Sequence, residues 1–240
     1  MGHRRLTPCA ALLIACAGTA SADIDVMVFT ITATNADGSA YFSHMIEANQ
    51  ASGNIDFDWN LNGLTELRDE NNGMLVAELQ QASVNIIADP EVAVGFTAFA
   101  PTQQTTFNVQ STILSFTQIS AANAVGQASA SITLNDFSGD GQVTFTPGAG
   151  GAYEAQLNNR SVIFDTLFDA GPIVGTNVFN DDTGGLAPLG IAVTSISAEW
   201  NFTVSSGDLV SGSSLFRVIP APGSAALLGL GGLVASRRRR

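Results

Sequence analysis

Apolar and polar residues alternate with a period of two along most of the central chain. In "SISAEWNFTV", Ile196, Ala198, Trp200, Phe202 and Val204 fall on one side of an extended strand, and Ser195, Ser197, Glu199, Asn201 and Thr203 on the other. "NIDFDWNL" repeats the pattern, with Ile55, Phe57, Trp59 and Leu61 against Asn54, Asp56, Asp58 and Asn60. "EVAVGFTAFA" places Val92, Val94, Phe96 and Ala98 on a common face. Strict alternation with one polar face is the signature of antiparallel sheet packed on one side and solvated on the other. "TTFNVQSTILSF" begins in phase at Phe107 and Val109 and then shifts to Leu114 and Phe116, which predicts a bulge near Ile113.

Turn chemistry punctuates these runs. "NADG" at 35–38, "NN" at 158–159 and "GDG" at 139–141 are expected as hairpin tips. Segments recur every ten to fifteen residues or so, giving roughly ten strands. Between Gly63 and Gln81, "GLTELRDENN" and "MLVAELQQ" each read as strand or as a helical turn or two. No linker divides the middle. The expected fold is all-β: one antiparallel β-sandwich domain, jelly-roll-like, over residues 23–216, with a signal helix before it and a short apolar helix after it.

The 240-residue chain is 45% hydrophobic and only 12% charged, so it can bury a sizeable core. Charge is segregated. All nine basic residues are arginine, and only Arg68, Arg160 and Arg217 lie between the two terminal groups, while the 21 acidic residues run from Asp23 to Asp208. Such a surface repels phosphate backbones, which excludes nucleic acid as a partner, and it attracts divalent cations.

The two ends read as addresses. Arg4 and Arg5, the apolar run Leu6–Ala17 and the small-residue site Ala20-Ser21-Ala22 form a secretory signal peptide over 1–22, leaving Asp23 as the first mature residue. Both cysteines, Cys9 and Cys16, fall inside it, so the exported chain has no thiol. An alternative uses "LIAC", which resembles a bacterial lipobox and would make the protein a lipoprotein anchored through Cys16. At the other end, Ala221–Ala235 as a helix would span about 22 Å, short of the roughly 30 Å hydrocarbon core. Arg237, Arg238, Arg239 and Arg240 oppose translocation and hold the C-terminus on the cytoplasmic side. The order of Pro220-Ala221-Pro222, the apolar "LLGLGGL" and "RRRR" resembles the PEP-CTERM sorting signal of bacteria, with alanine in place of the central glutamate. "ADPEVAVGF", "TTFNVQSTILSF", "AVGQASASITLNDFSGDG" and "SISAEWNFTVSSGD" are more loosely similar to uncharacterised PEP-CTERM proteins. The resemblance implies a sorting tail over 217–240, recognition by an exosortase-like membrane protease, transient retention in the inner membrane and a final place at the cell surface or outside the cell.

Candidate chemistry is sparse. In "NDFSGDGQV", Asp136, Ser138 and Asp140, followed by the Gln142 carbonyl, alternate like the first half of an EF-hand calcium loop, although position twelve is Pro147 rather than a bidentate glutamate. A polar turn with acidic decoration and no cofactor is the expectation there, with weak calcium binding at Asp136 and Asp140 as the alternative. Asn180, Asp181 and Asp182 form a second, weaker acidic tip. Asp56 and Asp58 lie about 7 Å apart on one strand face, a spacing that any solvated strand produces. Trp59 and Trp200 are expected in the core, and His44 is the sole histidine after the signal peptide. No phosphate loop, dinucleotide fingerprint or nucleophile elbow is present, and no catalytic residue is assigned. The expectation is a structural or adhesive surface protein in an envelope or extracellular polysaccharide matrix. The alternative is a carbohydrate-binding module or carbohydrate-active enzyme on the same fold, which exposed aromatics beside paired carboxylates would favour.

Overall fold

The computed structural model describes residues 22–24, 27–46, 52–53, 56–140 and 143–221. The signal helix and the apolar helix expected at the two ends lie outside them, as do Ala20, Gln142, Pro222 and Arg237 to Arg240. Among the described residues there are eighteen strands and no helix.

The strands form two sheets, of eleven and seven strands, and every strand pair is antiparallel. The chain starts in the larger sheet with β1 (Ala22–Ile24), β2 (Met27–Asn35), β3 (Gly38–Met45) and β4 (Ser52–Gly53). It passes to the smaller sheet for the meander β5 (Phe57–Arg68), β6 (Leu75–Ile87) and β7 (Glu91–Ala100). It returns for β8 (Thr105–Ser111) and β9 (Leu114–Ile119), then crosses again for β10 (Ala124–Asp136). The larger sheet takes β11 (Thr144–Pro147), β12 (Tyr153–Leu157), β13 (Val162–Leu167) and β14 (Ile173–Val174); the smaller takes β15 (Val178–Asp182) and β16 (Ala187–Pro188). Finally β17 (Val193–Val204) runs through the middle of the larger sheet and β18 (Asp208–Pro220) through the middle of the smaller.

The predicted alternation is realised in the burial of these strands. Ile196, Ala198, Trp200, Phe202 and Val204 of β17 are buried, as are Val92, Val94, Phe96, Ala98 and Ala100 of β7. Phe57, Trp59 and Leu61 pack against the same core while Asp56, Asp58 and Asn60 are exposed. The phase shift near Ile113 is a one-residue bulge. Gln110 pairs with Glu199 and Leu114 with Ile196, so the steps on one strand exceed those on β17 by one.

Three expectations are corrected. Gly63–Gln81 contains no helical turn but the β5–β6 hairpin, closed by a turn over 69–74. Gly139 and Asp140 of "GDG" are at no hairpin tip: β10 and β11 belong to different sheets, so they lie on a crossover, and Gly141 is outside the described residues. The strands outnumber the ten expected because several, such as β14 and β16, are two residues long and too short to show periodicity. "NADG" and "NN" do close the β2–β3 and β12–β13 hairpins.

The two sheets meet ring to ring. Phe96 of β7 contacts both Trp200 and Phe202 of β17 at 5.4 Å between centroids. Phe164 of β13 stacks on Phe216 of β18 at 5.5 Å. Trp200 also carries a polar atom into the core, and its Nε1–H donates to Ser214 Oγ of β18 at 3.0 Å. Room for Phe96 comes from Gly212, its register partner on β18: a Cβ there would lie 2.3 Å from the Phe96 ring.

A second tie links the sheets at one end. Asp69, in the β5–β6 turn, accepts the backbone N–H of Ser39 on β3 at 3.0 Å through Oδ2, and those of Asn71 and Asn72 at 2.9 and 3.0 Å through Oδ1. Asn72 Nδ2 donates to the Asp37 carbonyl at 2.7 Å, and Asn35 Nδ2 to the Val76 carbonyl at 3.2 Å. Gly38 has φ 149° and no room for a side chain beside the Asp69 carboxylate, 2.4 Å from where its Cβ would stand. The N–H of Ser39 first, then that of Asn71, hold the Asp69 carboxyl below the usual range against the opposing effect of burial.

Two outcomes follow from this packing. Gly212→Ala drives a methyl into Phe96 and is expected to lower stability by about 1–3 kcal/mol in urea denaturation. Asp69 has a lowered folded pKa, so its contribution is complete above its unfolded value near 3.9 and is lost as pH falls through the folded value. Thermal melts are therefore expected to show Asp69→Asn less stable than wild type at neutral pH, with a shallower loss of stability below about pH 4.

Candidate functional site

The residues singled out from sequence separate into distinct places. Asp136 ends β10, and its Oδ1 accepts from Ser138 Oγ at 3.0 Å and from the Gly139 N–H at 2.7 Å. The Asp140 N–H approaches Ser138 Oγ at 3.4 Å. This loop turns on its own side chains as the chain leaves the smaller sheet. Asp181 Oδ2 accepts the Phe168 N–H at 2.9 Å, and Asp182 Oδ1 caps the Gly184 N–H, so the second acidic tip fastens β15 to the chain following β13. Asp56 Oδ1 accepts the Ala88 N–H, beyond the end of β6, and Asp58 Oδ1 accepts from Asn60 Nδ2 on its own strand. Ala22 begins β1, which pairs with both β4 and β9. Pro220 closes β18 opposite Ala124, and the Ala221 N–H donates to the Asn123 carbonyl. Residues 217–220 of the expected tail segment are thus strand. Among the described residues, no three His, Cys, Asp or Glu side chains converge as a metal-binding group.

The outer faces of the two sheets differ. On the larger sheet, Glu154 and Glu199 are register partners across β12 and β17. One amide spans them: Gln156 Nε2 donates to Glu154 Oε2 at 3.1 Å and to Glu199 Oε2 at 2.8 Å. Asn108 Nδ2 and Gln110 Nε2 donate to the other Glu199 oxygen at 2.6 and 3.1 Å. Arg160 joins the edge of this network by donating to Gln110 Oε1 at 2.7 Å and to the Ser111 carbonyl at 2.9 Å. It is delivered by a turn in which Asn158, Asn159 and Arg160 all adopt left-handed backbone, with φ of 52°, 57° and 64°. That costly arrangement is held by Asn158 Oδ1 on the Thr194 N–H at 2.9 Å and by Ser195 Oγ on the Asn159 N–H at 2.8 Å. Nothing in the sequence signals this network, because its carboxylates and amides come from β8, β12 and β17 and only the register assembles them.

On the smaller sheet, short uncharged groups line up across six strands. Asn60, Ser83, Gly95, Ser213, Ser131 and Asn180 form one row of register partners from β5 to β15. The Thr97 and Ser211 hydroxyls bond at 3.0 Å in the next row. Two neighbouring depressions of about 450 and 570 Å³ lie along these rows, floored by Gly95 and serines. Their walls are Asn60 and Gln81 at one side and Asn180 and Asp182 at the other.

The tryptophans take no part in either face. Trp200 is fully buried. Trp59 packs against the core and stacks on His44 at 4.3 Å between rings, with Phe29 and Phe42 beside it. This group closes the side of the molecule where β3 and β5 approach each other.

No protein-family model matches the chain, and no curated protein matches it. Among solved structures, an arabinose-bound α-L-arabinofuranosidase is similar at 11% identity over 68% of this chain and 23% of that one, with a TM-score of 0.26. A structure of infectious bursal disease virus, Gx strain, is similar at 13% identity over 84% of this chain and 55% of that one, with a TM-score of 0.21. The chain therefore spans only a fraction of each of these proteins, and likeness at such scores carries no argument.

His44 can be titrated directly. Burial against Trp59 lowers its pKa below the ordinary 6.5. A histidine with a lowered folded pKa contributes stability above its unfolded value that is lost as pH falls through the folded one. Proton NMR of the exported form, in which His44 is the lone histidine, is expected to give a midpoint under about 6.5, and His44→Phe is expected to remove that part of the pH dependence.

Proposed function

We propose that this is an exported bacterial surface protein with a structural or adhesive role. In this reading a jelly-roll-like β-sandwich is delivered by the signal peptide over 1–22 and sorted through the PEP-CTERM-like tail over 217–240. The carrying observation is the character of the outer face of the smaller sheet. A row of short hydroxyl and amide side chains crosses all its long strands, with both tryptophans turned inward. Such a face can lie along a neutral polysaccharide by hydrogen bonding, and its acidic rim at Asp181 and Asp182 disfavours polyanions. The exported chain is free of thiols and of lysine, which suits an oxidising exterior. Central β18 ends at Pro220, so cleavage beyond Ala221 would free the body with that strand whole.

A second reading has one observation in its favour. Glu154 and Glu199, half-buried and joined through the buried amide of Gln156, are paired carboxylates of the kind that glycoside chemistry uses. On that reading Glu199→Gln abolishes an activity on sugar substrates; on the structural reading no such activity exists.

Intact-mass spectrometry of the protein recovered from the producing cell tests the sorting directly. The expected mass begins at Asp23 and lacks the arginine cluster. A mass that retains Arg240 contradicts the tail's role, and one that begins with a lipid-modified Cys16 replaces the signal-peptide reading with the lipoprotein one.

A further inference from the structure

Where β10 ends and β18 begins, two aspartates face each other. Asp136 and Asp208 are register partners on adjacent antiparallel strands, so their side chains leave the same face of the sheet. Asp208 is fully buried. Its Oδ2 accepts from the Ser205 hydroxyl, while its Oδ1 is buried with no hydrogen-bond partner. Like charges directly opposed across strands are unfavourable, and a carboxylate oxygen removed from water without a donor is more so. The described arginines do not relieve this. Arg68 donates to Glu66 and the Gly73 carbonyl, Arg160 to Gln110 and the Ser111 carbonyl, and Arg217 to Gln127.

The surroundings are built closely around this pair. The chain after Asp136 folds back over the β17–β18 turn, bringing Ser138 so near that a Cβ on Gly207 would lie 2.9 Å from the serine's own. Gly207 also needs its φ of 78°, and its N–H is spent on the Ala100 carbonyl at 2.6 Å. Ser205 Oγ, beside Asp208, accepts the Thr144 N–H at 2.8 Å. The chain leaving β10 at Ser138 and the β17–β18 turn over 205–207 therefore bring two carboxylates and the hydroxyls of Ser138 and Ser205 to one end of the smaller sheet.

We propose that a calcium ion binds here, held between Asp136 and Asp208 with hydroxyl oxygens and water completing its shell. Calcium accepts six to eight oxygen ligands in flexible geometry, which matches hard oxygens from separate strands. The loop motif alone lacks a second strong acidic ligand at its far end. Asp208, from the far end of the sequence, supplies it. Two carboxylates rather than three or four place the affinity in the weak range of extracellular modules, with a dissociation constant of about 0.1–1 mM.

The test titrates calcium chloride into the purified, chelator-stripped protein by calorimetry, with thermal melts in parallel. Binding heat in that range and a melting temperature raised by about 3–6 °C at ~10 mM calcium are expected. Asp208→Asn and Asp136→Asn, each nearly isosteric, are expected to fold without responding to calcium. Should Asp208→Asn not fold, Asp136→Asn decides, since its amide oxygen can still accept from Ser138 and Gly139. Absence of both heat and melting shift in the wild-type protein overturns the site, and so does a folded aspartate variant that responds like wild type.

Discussion

The fold depends on one close approach between sheets: the ring of Phe96 laid over the bare backbone of Gly212 and pressed against Trp200 and Phe202. Gly212 and Phe96 are register partners in the smaller sheet, while the two rings they meet belong to the central strand of the larger one. This contact fixes the separation of the layers at their middle. It also places the Trp200 N–H within reach of Ser214, two residues along from Gly212, so this buried polar atom of the core finds its acceptor on the same strand. With no disulfide in reach of the described chain, such packing must hold the layers together without covalent help.

Much of this architecture is visible in the sequence because burial on one side of a strand imposes strict alternation. β7 and β17 display it without interruption, and even the bulge at Ile113 shows as a slip in phase. What alternation does not carry is which strands meet. "GDG" has the composition of a hairpin tip, but its flanking strands join different sheets, a matter of long-range pairing. "GLTELRDENN" has helix-forming residues in plenty; tertiary pairing of β5 with β6 outweighs that preference, and Gly63 with Leu64 becomes a bulge in an edge strand.

The chemistry follows the same division. The Asp136 loop is legible because its residues are neighbours in sequence. Asp208 is not, since only register sets it beside Asp136. Likewise Glu154, Gln156 and Glu199 look like ordinary solvated positions until β12 is laid against β17. Trp59 and Trp200 were readable as core from their place in the apolar series, and that placement leaves the outer faces to hydroxyls, amides and carboxylates.

The central claim is that the terminal segments address the body to the cell exterior while the body carries the contact surface. The most direct measurement is the distribution of two forms in a bacterium with an exosortase: the whole chain and one ending at Ala221. Immunodetection in cytosol, membrane, surface and medium is expected to find the whole chain at the membrane and surface, and the shortened form released to the periplasm or medium. Identical distributions of the two forms, or retention of both in the cytosol, would contradict the account.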